Sequence, residues 1–282
     1  MASTPSVLVI AGLDPSGGAG LLADVQVVRA HGLHVAGVAT ALTIQDSARC
    51  HGFEPVDTDV IQRQLEALLD DLQIAAIKVG MVGGGHMARV LARTLAPLVQ
   101  RGVPLVFDPV LRASVGADLF EGDPEEELGP LLAATRLLTP NRQEAEALSG
   151  IAIASEEGLE GQRRAARALR ALGPAAVLVK GGHVGAPDAA EITDLLDDGE
   201  GEPLALSAPR LVGPTPHGTG CALSSAIAAR LAKGDSLRDA VQGGRGYLAS
   251  RIAAAFMAGR GRPLLGAVTV EDPGPSATPA AS

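Results

Sequence analysis

The sequence predicts a three-layer α/β protein, in which a mostly parallel central sheet has helices on both faces and carries a small strand hairpin. Short aliphatic runs alternate with amphipathic segments along most of the chain, which is the pattern of repeated strand–helix–strand units. Apolar residues make up 46% of the sequence and aromatic residues 2%, so the core must consist of Ala, Val, Leu and Ile, as buried parallel strands do. Two adjacent strand-like segments late in the chain predict the hairpin.

Each predicted parallel strand is an aliphatic run that stops at a glycine, a proline or a polar residue. We expect parallel strands at Ser6–Ala11, His34–Thr40, Ile74–Val79, Val103–Phe107, Leu137–Leu138 and Ala176–Val179, and the hairpin at Glu191–Leu196 and Pro203–Ser207. The segments between them have helical apolar spacing, and we expect helices at Leu21–Ala30, Asp57–Leu72, His86–Gln100, Glu125–Ala134, Arg142–Leu148, Glu156–Leu172, from Ala222 onward and at about Ser236–Met257. This alternating order predicts a sheet in which the carboxyl ends of the parallel strands lie together at one edge.

Composition and charge limit the function. The net charge of −9 argues against nucleic acid or an anionic membrane as the main partner. The two cysteines are too few for a disulfide framework, which favours reduced thiols in the cytoplasm. The N-terminal run VLVI has no basic flank and is too short for a signal or membrane segment, so we interpret it as the first strand.

The domain organisation is predicted to be simple. Residues 1–258 show no internal repeat and no linker, and we expect them to form one domain. Residues 259–282 are rich in Gly, Pro, Ala and Ser, which is typical of a largely disordered tail.

A glycine-rich stretch, Pro216–Ser225, is the first functional candidate. Gly218 and Gly220 flank Thr219, Cys221 follows, and a small-residue helix begins after it. The unpaired N–H groups of a helix start form an anion site, and the same field favours a thiolate. A Gly-Thr-Gly run before a helix is common, so this signal is weak by itself.

Polar residues follow several of the predicted strands: Asp14, Gln45, Asp108, Asn141 and Lys180. In open parallel sheets, ligands bind outside the carboxyl ends of the strands, so these positions predict one shared site.

Each of these residues also has an ordinary structural interpretation. Asp108 could cap a helix or bind a metal. Asn141 and Glu144 have the spacing of a capping box, although Glu144 together with Asp108 could help to hold Mg²⁺. Lys180 could be a solvated lysine or could pair with a phosphoryl group. Gln45 could satisfy backbone groups or could recognise a heterocycle.

The remaining cysteine and the loop histidines receive no catalytic role from the sequence. Cys50 is interpreted as structural. His183 and His217 lie in loops on the predicted site side and could simply bond loop carbonyls.

Seven motifs in order resemble one family. They are Ala11–Gly20 (AGLDPSGGAG) with Asp24, Thr40–Gln45 (TALTIQ), Lys78–Met81 (KVGM), Asp108–Val110, Thr139–Glu144 (TPNRQE), Lys180–His183 (KGGH) and His217–Cys221 (HGTGC). Together they resemble the hydroxymethylpyrimidine/phosphomethylpyrimidine kinases of thiamine biosynthesis, which have a ribokinase-like fold. The match runs in register from about Val7 to Leu248, and seven motifs in order are far more specific than any one.

The resemblance implies transfer of phosphate from ATP, with Mg²⁺, to 4-amino-5-hydroxymethyl-2-methylpyrimidine and then to its monophosphate. It implies a pyrimidine pocket formed by Gly12, Asp24, Gln45, Met81 and Val110. It also implies an anion hole at Gly218, Thr219 and Gly220, with Lys180 by the ATP phosphates, Asp108 and Glu144 in the Mg²⁺ region and Cys221 as the candidate base. A thiolate with a lowered pKa would suit that base. Family members are commonly homodimers, and the predicted hairpin is a candidate contact.

The sequence departs from the family pattern at a few positions. Val115 stands where a serine is expected, and Asp46 where the family often has Asn. Val212–Pro216 (VGPTP) replaces mostly polar residues before the glycine-rich stretch, and Gly259–Gly266 lacks the usual Gly-His ending. These departures concern the lid and the nucleotide side more than the pyrimidine pocket.

Two other functions compete with this interpretation. A pyridoxal or pyridoxine kinase of the same group would also phosphorylate a small hydroxymethyl heterocycle, although Gln45 favours an aminopyrimidine edge. A pyrimidine-binding regulator without catalysis is the alternative from another class. Retention of Asp108, Glu144, Lys180 and Cys221 argues against it.

Overall fold

The computed structural model describes residues 5–113, 116–154, 157–182, 190–210 and 213–267. Its strands are β1 (Ser6–Leu13), β2 (His34–Gln45), β3 (Cys50–Pro55), β4 (Ile74–Val79), β5 (Gly83–Gly84), β6 (Leu105–Phe107), β7 (Phe120–Glu121), β8 (Leu137–Leu138), β9 (Val177–Val179), β10 (Glu191–Asp197) and β11 (Leu204–Pro209). Its helices are α1 (Gly20–Ala30), α2 (Thr58–Asp71), α3 (Gly85–Gln100), α4 (Pro124–Glu127), α5 (Gly129–Ala133), α6 (Arg142–Ser149), α7 (Leu159–Ala171), α8 (Thr219–Ala232) and α9 (Leu237–Ala253).

Nine strands form the central sheet in the order β11-β10-β9-β8-β6-β4-β1-β2-β3. The strands from β9 to β2 pair in parallel, while β3, β10 and β11 pair antiparallel. The α/β fold with a mostly parallel sheet and a late hairpin is therefore confirmed. The carboxyl ends of the parallel strands lie together at one edge.

Strand β1 shows why the sheet has two helical layers. Val7, Val9 and Ala11 point into a core with residues of α1, α8 and α9. Leu8 and Ile10 point into a larger core with residues of α2, α3, α5, α6 and α7. Since successive side chains of a strand face opposite sides, a continuous aliphatic run is what a strand covered on both faces requires.

Some elements differ from the sequence prediction. The predicted second strand continues to Gln45, and β3 pairs with it as an unexpected edge strand. The predicted helix Glu125–Ala134 is split into α4 and α5, because Gly129-Pro130 interrupts it. The sequence also gave no signal for the short pair β5–β7. The sixth predicted helix, Glu156–Leu172, corresponds to α7, and its predicted first residue, Glu156, lies outside the described residues.

The segment 256–267, which we call the C-terminal strap, packs against the domain. Leu264 and Leu265 are buried, and Arg251 donates hydrogen bonds to the carbonyls of Leu265 (3.2 Å) and Gly266 (2.6 Å). Burial of two leucines and pairing of their backbone stabilise this segment. The described part of the predicted tail therefore belongs to the folded unit, and residues 268–282 lie outside the described residues.

In the described part of the chain, no helix combines the length and the apolar character that crossing a bilayer demands.

Candidate active site

A cavity of about 1350 Å³ lies at the carboxyl ends of the parallel strands. Eleven of the twelve candidate site residues line it: Gly12, Gln45, Met81, Asp108, Val110, Glu144, Lys180, Gly218, Thr219, Gly220 and Cys221. Asp24 is not among the lining residues. The sheet order explains this convergence, because residues far apart in sequence follow strands that are neighbours in space.

The glycine-rich stretch forms the start of α8, three residues earlier than predicted. Gly218 has φ +79°, and a Cβ there would overlap the carbonyl oxygen of Gly18, so this position requires glycine. Among the described residues, no side chain caps α8, and its first turn carries no acidic residue, whereas Asp57 and Asn141 cap α2 and α6. The first N–H groups of α8 therefore remain available to an anion.

A lysine and two carboxylates lie beside this helix start. The Nζ atom of Lys180 is 2.7 Å from Oδ1 of Asp108 and 3.9 Å from Oε2 of Glu144. Thr139 donates to the same Asp108 oxygen at 3.1 Å. Burial opposes the charge of Lys180, but the two carboxylates raise its pKa. Lys180 therefore carries a positive charge at neutral pH.

Glu144 caps a helix and also belongs to the charged cluster beside Lys180. It completes the capping box of α6, since Asn141 accepts from the N–H of Glu144 and Glu144 accepts from the N–H of Asn141. The same carboxylate faces Lys180 and Asp108. Burial raises its pKa to about 7, with Asp108 adding to that rise and Lys180 opposing it. A nearby cation favours the ionised form of a carboxyl group and lowers its pKa, so a bound cation would stabilise Glu144 as a carboxylate.

The anion site and the charged cluster adjoin each other. A Cβ on Gly220 would lie 3.1 Å from Nζ of Lys180 and 3.3 Å from Oδ2 of Asp108. Glycine at this position lets the backbone of the first helical turn approach the charged groups closely. An anion at the start of α8 would therefore also meet the ammonium group of Lys180.

Another part of the cavity wall combines a polar group with apolar side chains, which we call the apolar wall. Gln45 Nε2 lies 3.3 Å from Oδ2 of Asp14 and 2.7 Å from Nε2 of His217. Met81 packs in an apolar cluster with Leu119, Phe53 and Val110. Gly12 lies against Met81, because a Cβ there would be 2.8 Å from the Met81 sulfur. The sequence had assigned His217 no role. Val115 and His183 lie outside the described residues.

Asp24 lies beneath the cavity. Its carboxylate accepts from Nζ of Lys78 at 2.6 Å and from Oγ of Ser225 at 2.7 Å, and the side chains of Asp24 and Lys78 are fully buried. Burial raises the pKa of Asp24. Burial also opposes the charge of Lys78, but Asp24 and other nearby acidic groups raise the pKa of Lys78. Lys78 lines the cavity floor and was missed as a site residue. A lysine inside an aliphatic strand was the available signal, since a buried lysine needs a partner.

Cys221 differs from its expected state. We predicted a thiolate favoured by the helix start, but burial raises the pKa of Cys221 to about 11, although Lys78 opposes the rise. Desolvation disfavours the charged form more strongly than the helix start and Lys78 favour it. The expectation of a lowered pKa is therefore wrong, and Cys221 is a protonated thiol at neutral pH.

This arrangement has the parts of a phosphoryl-transfer site. Backbone donors, a charged lysine and two carboxylates line the same cavity as an amide and a set of apolar side chains. Positioning and charge neutralisation are what phosphoryl transfer needs most.

Comparisons with known proteins agree on one family. The sequence model of the family described as phosphomethylpyrimidine kinase matches residues 14–265. A hydroxymethylpyrimidine/phosphomethylpyrimidine kinase from Streptomyces coelicolor is 38% identical over 91% of this chain and 92% of its own length.

Solved structures show the same architecture. An ADP complex of Bacillus subtilis pyridoxal kinase has a TM-score of 0.82 and 26% identity, covering 95% of this chain and 98% of its own. A phosphomethylpyrimidine kinase from Clostridium difficile has a TM-score of 0.73 and 31% identity, covering 87% of this chain and 98% of its own.

Proposed function

The chain belongs to the phosphomethylpyrimidine kinase family and is a phosphotransferase, and we propose that it phosphorylates 4-amino-5-hydroxymethyl-2-methylpyrimidine with ATP and then phosphorylates the monophosphate to the diphosphate. This reaction belongs to thiamine biosynthesis, in agreement with the names of its relatives, which include a thiamine biosynthesis bifunctional protein from Geobacter sulfurreducens. ATP use is supported by the ADP complex of the related Bacillus subtilis structure.

One observation carries the proposal: the uncapped start of α8 adjoins the Lys180–Asp108 pair, with Gly220 between them. Backbone N–H groups of Gly218, Thr219 and Gly220 would hold the transferring phosphoryl group. Lys180 would neutralise the negative charge on the oxygens of the phosphoryl group during its transfer. Donors fixed in place before the reaction cost no reorganisation, which is why they stabilise a transition state efficiently.

The pyrimidine would bind in the same cavity, where Gln45 would recognise its polar edge and Met81, Val110 and Gly12 would form the apolar wall. Asp24 would contribute through Lys78, which it holds at the cavity floor. Cys221 would face the acceptor hydroxyl. As a protonated thiol it would orient that hydroxyl, whose proton would pass late in a loose transition state to an oxygen of the transferred phosphoryl group.

The residues present fit Mg²⁺. Asp108 and Glu144 supply hard carboxylate oxygens, and Mg²⁺ often takes one or two carboxylates with phosphate oxygens and waters. The described residues contain no cluster of three or more His, Cys, Asp or Glu groups suited to a metal, so the remaining ligands would come from nucleotide and water. When bound, Mg²⁺ would neutralise phosphate charge.

A second candidate activity has its own support. The Bacillus subtilis structure with a TM-score of 0.82 is a pyridoxal kinase, so the fold also accommodates that substrate type. The sequence relatives favour the pyrimidine. A panel of pyridoxal, pyridoxine and the pyrimidine alcohol would separate the two activities; phosphorylation of pyridoxal but not of the pyrimidine would overturn our proposal.

The decisive experiment couples ADP production to a spectrophotometric assay with two substrates in separate reactions, the pyrimidine alcohol and its monophosphate. We expect turnover with both. Turnover with the alcohol alone would remove the second phosphorylation from the proposal. Tight binding of the alcohol without any ADP formation would indicate a regulator instead.

We also propose a homodimer that works in the cytoplasm. The hairpin β10–β11 ends the sheet, and an edge strand is a surface at which a second copy can pair. Light scattering of the purified chain tests the dimer, and a monomer at micromolar concentration would contradict it. The chain has only two cysteines, and Cys50 and Cys221 are not joined in a disulfide, which supports the cytoplasm.

A further inference from the structure

The side chain of His217 lines the cavity and is fixed between two polar groups. Its Nε2 atom lies 2.9 Å from Oδ2 of Asp14 and 2.7 Å from Nε2 of Gln45, and the side chain is 6% exposed. Its backbone N–H donates to the Pro263 carbonyl at 2.8 Å. The ring also packs on Gly18, where a Cβ would lie 2.6 Å from Cδ2 of the ring. The ring therefore has little freedom to turn.

One ring nitrogen faces two groups but can only donate or only accept. If Nε2 of His217 is bare, its lone pair faces the Asp14 carboxylate at 2.9 Å with no hydrogen between them. The proton would then be on Nδ1, to which the described residues offer no acceptor. A buried donor without a partner costs about 1–3 kcal/mol. A proton on Nε2 avoids both penalties.

Asp14 is the acceptor in this contact. Its carboxylate already accepts from the N–H of Ser16 at 2.8 Å, from the hydroxyl of Ser16 at 2.9 Å and from the N–H of Ala19 at 3.1 Å. Burial opposes ionisation, but the hydrogen bonds from His217 and Ser16 lower the pKa of Asp14. The hydrogen between the two residues therefore belongs to His217.

This assignment determines the orientation of Gln45. Two N–H groups cannot point at each other across 2.7 Å, so the amide oxygen of Gln45 must face Nε2 of His217. The single N–H of His217 is then shared in a three-centre hydrogen bond between this oxygen and Oδ2 of Asp14, which are 3.3 Å apart. The oxygen and nitrogen of an amide have nearly the same shape, and either orientation fits the same space. The NH₂ group of Gln45 then faces the cavity.

We propose that His217 is a positioning residue for substrate recognition: its Nε2–H fixes the Gln45 amide so that the cavity offers N–H donors to a heterocycle with a ring-nitrogen acceptor. The proposal rests on the proposed function, because Gln45 must contact the heterocycle. It adds a reason for selectivity, since a ring that places a donor at this position would meet another donor.

The first test is independent of activity. In ¹⁵N–¹H NMR spectra of labelled protein, the His217 ring signals are those that disappear in His217→Gln. We expect a proton bonded to Nε2 of His217. A bare Nε2 would overturn the proposal whatever the substrate is.

The second test separates binding from chemistry. We expect His217→Phe to raise KM for the pyrimidine alcohol about tenfold, the value of one hydrogen bond, with little change in kcat. His217→Gln can place an N–H near the same position and should restore most of the affinity. His86→Phe, at the exposed start of α3, is the control for loss of a histidine.

Two outcomes of the second test would contradict the positioning role of His217, and a third would contradict the proposed function. A fall in kcat with unchanged KM in His217→Phe contradicts the positioning role, and so does a His217→Gln variant as poor as His217→Phe. If the unmodified chain phosphorylates neither pyrimidine, the proposed function fails, while the NMR result still decides the state of His217.

Discussion

The ammonium group of Lys78 lies 2.6 Å from a carboxylate oxygen of Asp24, and both side chains are fully shielded from solvent. The pair joins β4 to α1 directly below the cavity, and Ser225 of α8 donates to the same carboxylate. A buried pair of this type contributes little net stability, but either charge alone is costly.

We therefore predict that Lys78→Met lowers the free energy of unfolding by about 3–5 kcal/mol, because it leaves Asp24 without a counter-charge. The double variant Lys78→Met/Asp24→Asn should be more stable than Lys78→Met alone, since neither remaining group is charged. Urea denaturation measures both. A double variant no more stable than the single one would show that packing, not charge, holds this position.

The anion site depends on the backbone of Gly218. We predict that Gly218→Ala lowers kcat by about 100-fold or more, because a Cβ there overlaps the Gly18 carbonyl and displaces the donors. Gly234→Ala is the matched control: Gly234 also has a positive φ, +93°, but a Cβ there meets no atom within 4 Å. It should cost about 1 kcal/mol of stability and leave kcat unchanged. Equal kcat losses in the two variants would point to general strain.

Cys221 should matter less than the glycines beside it. Because its pKa is raised to about 11, little thiolate is present at pH 7.5. We predict that Cys221→Ala retains turnover within about tenfold, while Gly220→Ala, which crowds Lys180, loses more. Abolished turnover in Cys221→Ala with near-normal Gly220→Ala would reverse this ranking.

The protonation of Cys221 can be measured directly. In a Cys50→Ser background, alkylation of Cys221 by iodoacetamide should be slow at pH 7–8 and should still be rising at pH 10, because the thiolate is the reactive form. A rate that levels off near pH 8 would contradict the raised pKa.

Glu144 should make stability depend on pH. Its pKa is raised from 4.5 to about 7, so the folded chain holds this proton between those values while the unfolded chain has lost it. The free energy of unfolding therefore falls as pH rises from about 4.5 to 7, by up to about 3 kcal/mol. We predict that Glu144→Gln removes this contribution. The free energy of unfolding of the variant, relative to that of the unmodified chain, should therefore be more favourable at pH 8 than at pH 5. Glu160→Gln on α7 is the control, and equal pH profiles for Glu144→Gln and the unmodified chain would refute the assignment.

The substitution Gly12→Ala adds one methyl group behind Met81 and should narrow the cavity at the apolar wall. A Cβ on Gly12 lies 2.8 Å from the flexible Met81 side chain, which should move towards the cavity. We predict that Gly12→Ala raises KM for the pyrimidine several-fold with the fold intact, and that Gly12→Ala/Met81→Ala reverses part of the change. Equal KM values for Gly12→Ala and the unmodified chain would show that Met81 does not border the substrate.

The parallel strands and the residues at their ends were predictable because both have local signals. An aliphatic run such as Val7–Ile10 defines a strand covered on both faces, and the polar residue after each run marks the shared edge. Strand β3 has no such signal: its sequence CHGFEP does not alternate, and pairing with β2 decides its structure.

Burial was the quantity that the sequence did not provide. The helix start near Cys221 was recognised, but the desolvation that raises its pKa depends on the packing of the surrounding strands and helices. Likewise, Lys78 and Asp24 are 54 positions apart and meet because β1 pairs with β4. Local sequence patterns do not show which residues distant in sequence come into contact, nor whether desolvation or a nearby charge has the larger effect on a pKa.

The C-terminal strap gives this protein an optical reporter of its own. The chain has no tryptophan and one tyrosine, so its intrinsic ultraviolet emission arises from Tyr247. The ring of Tyr247 packs in a cluster with Leu265, and the guanidinium group of Arg251, which binds the strap carbonyls, lies 5.8 Å from the ring centre. The emission of this single ring therefore follows the docking of the strap, whose Pro263 carbonyl also holds His217.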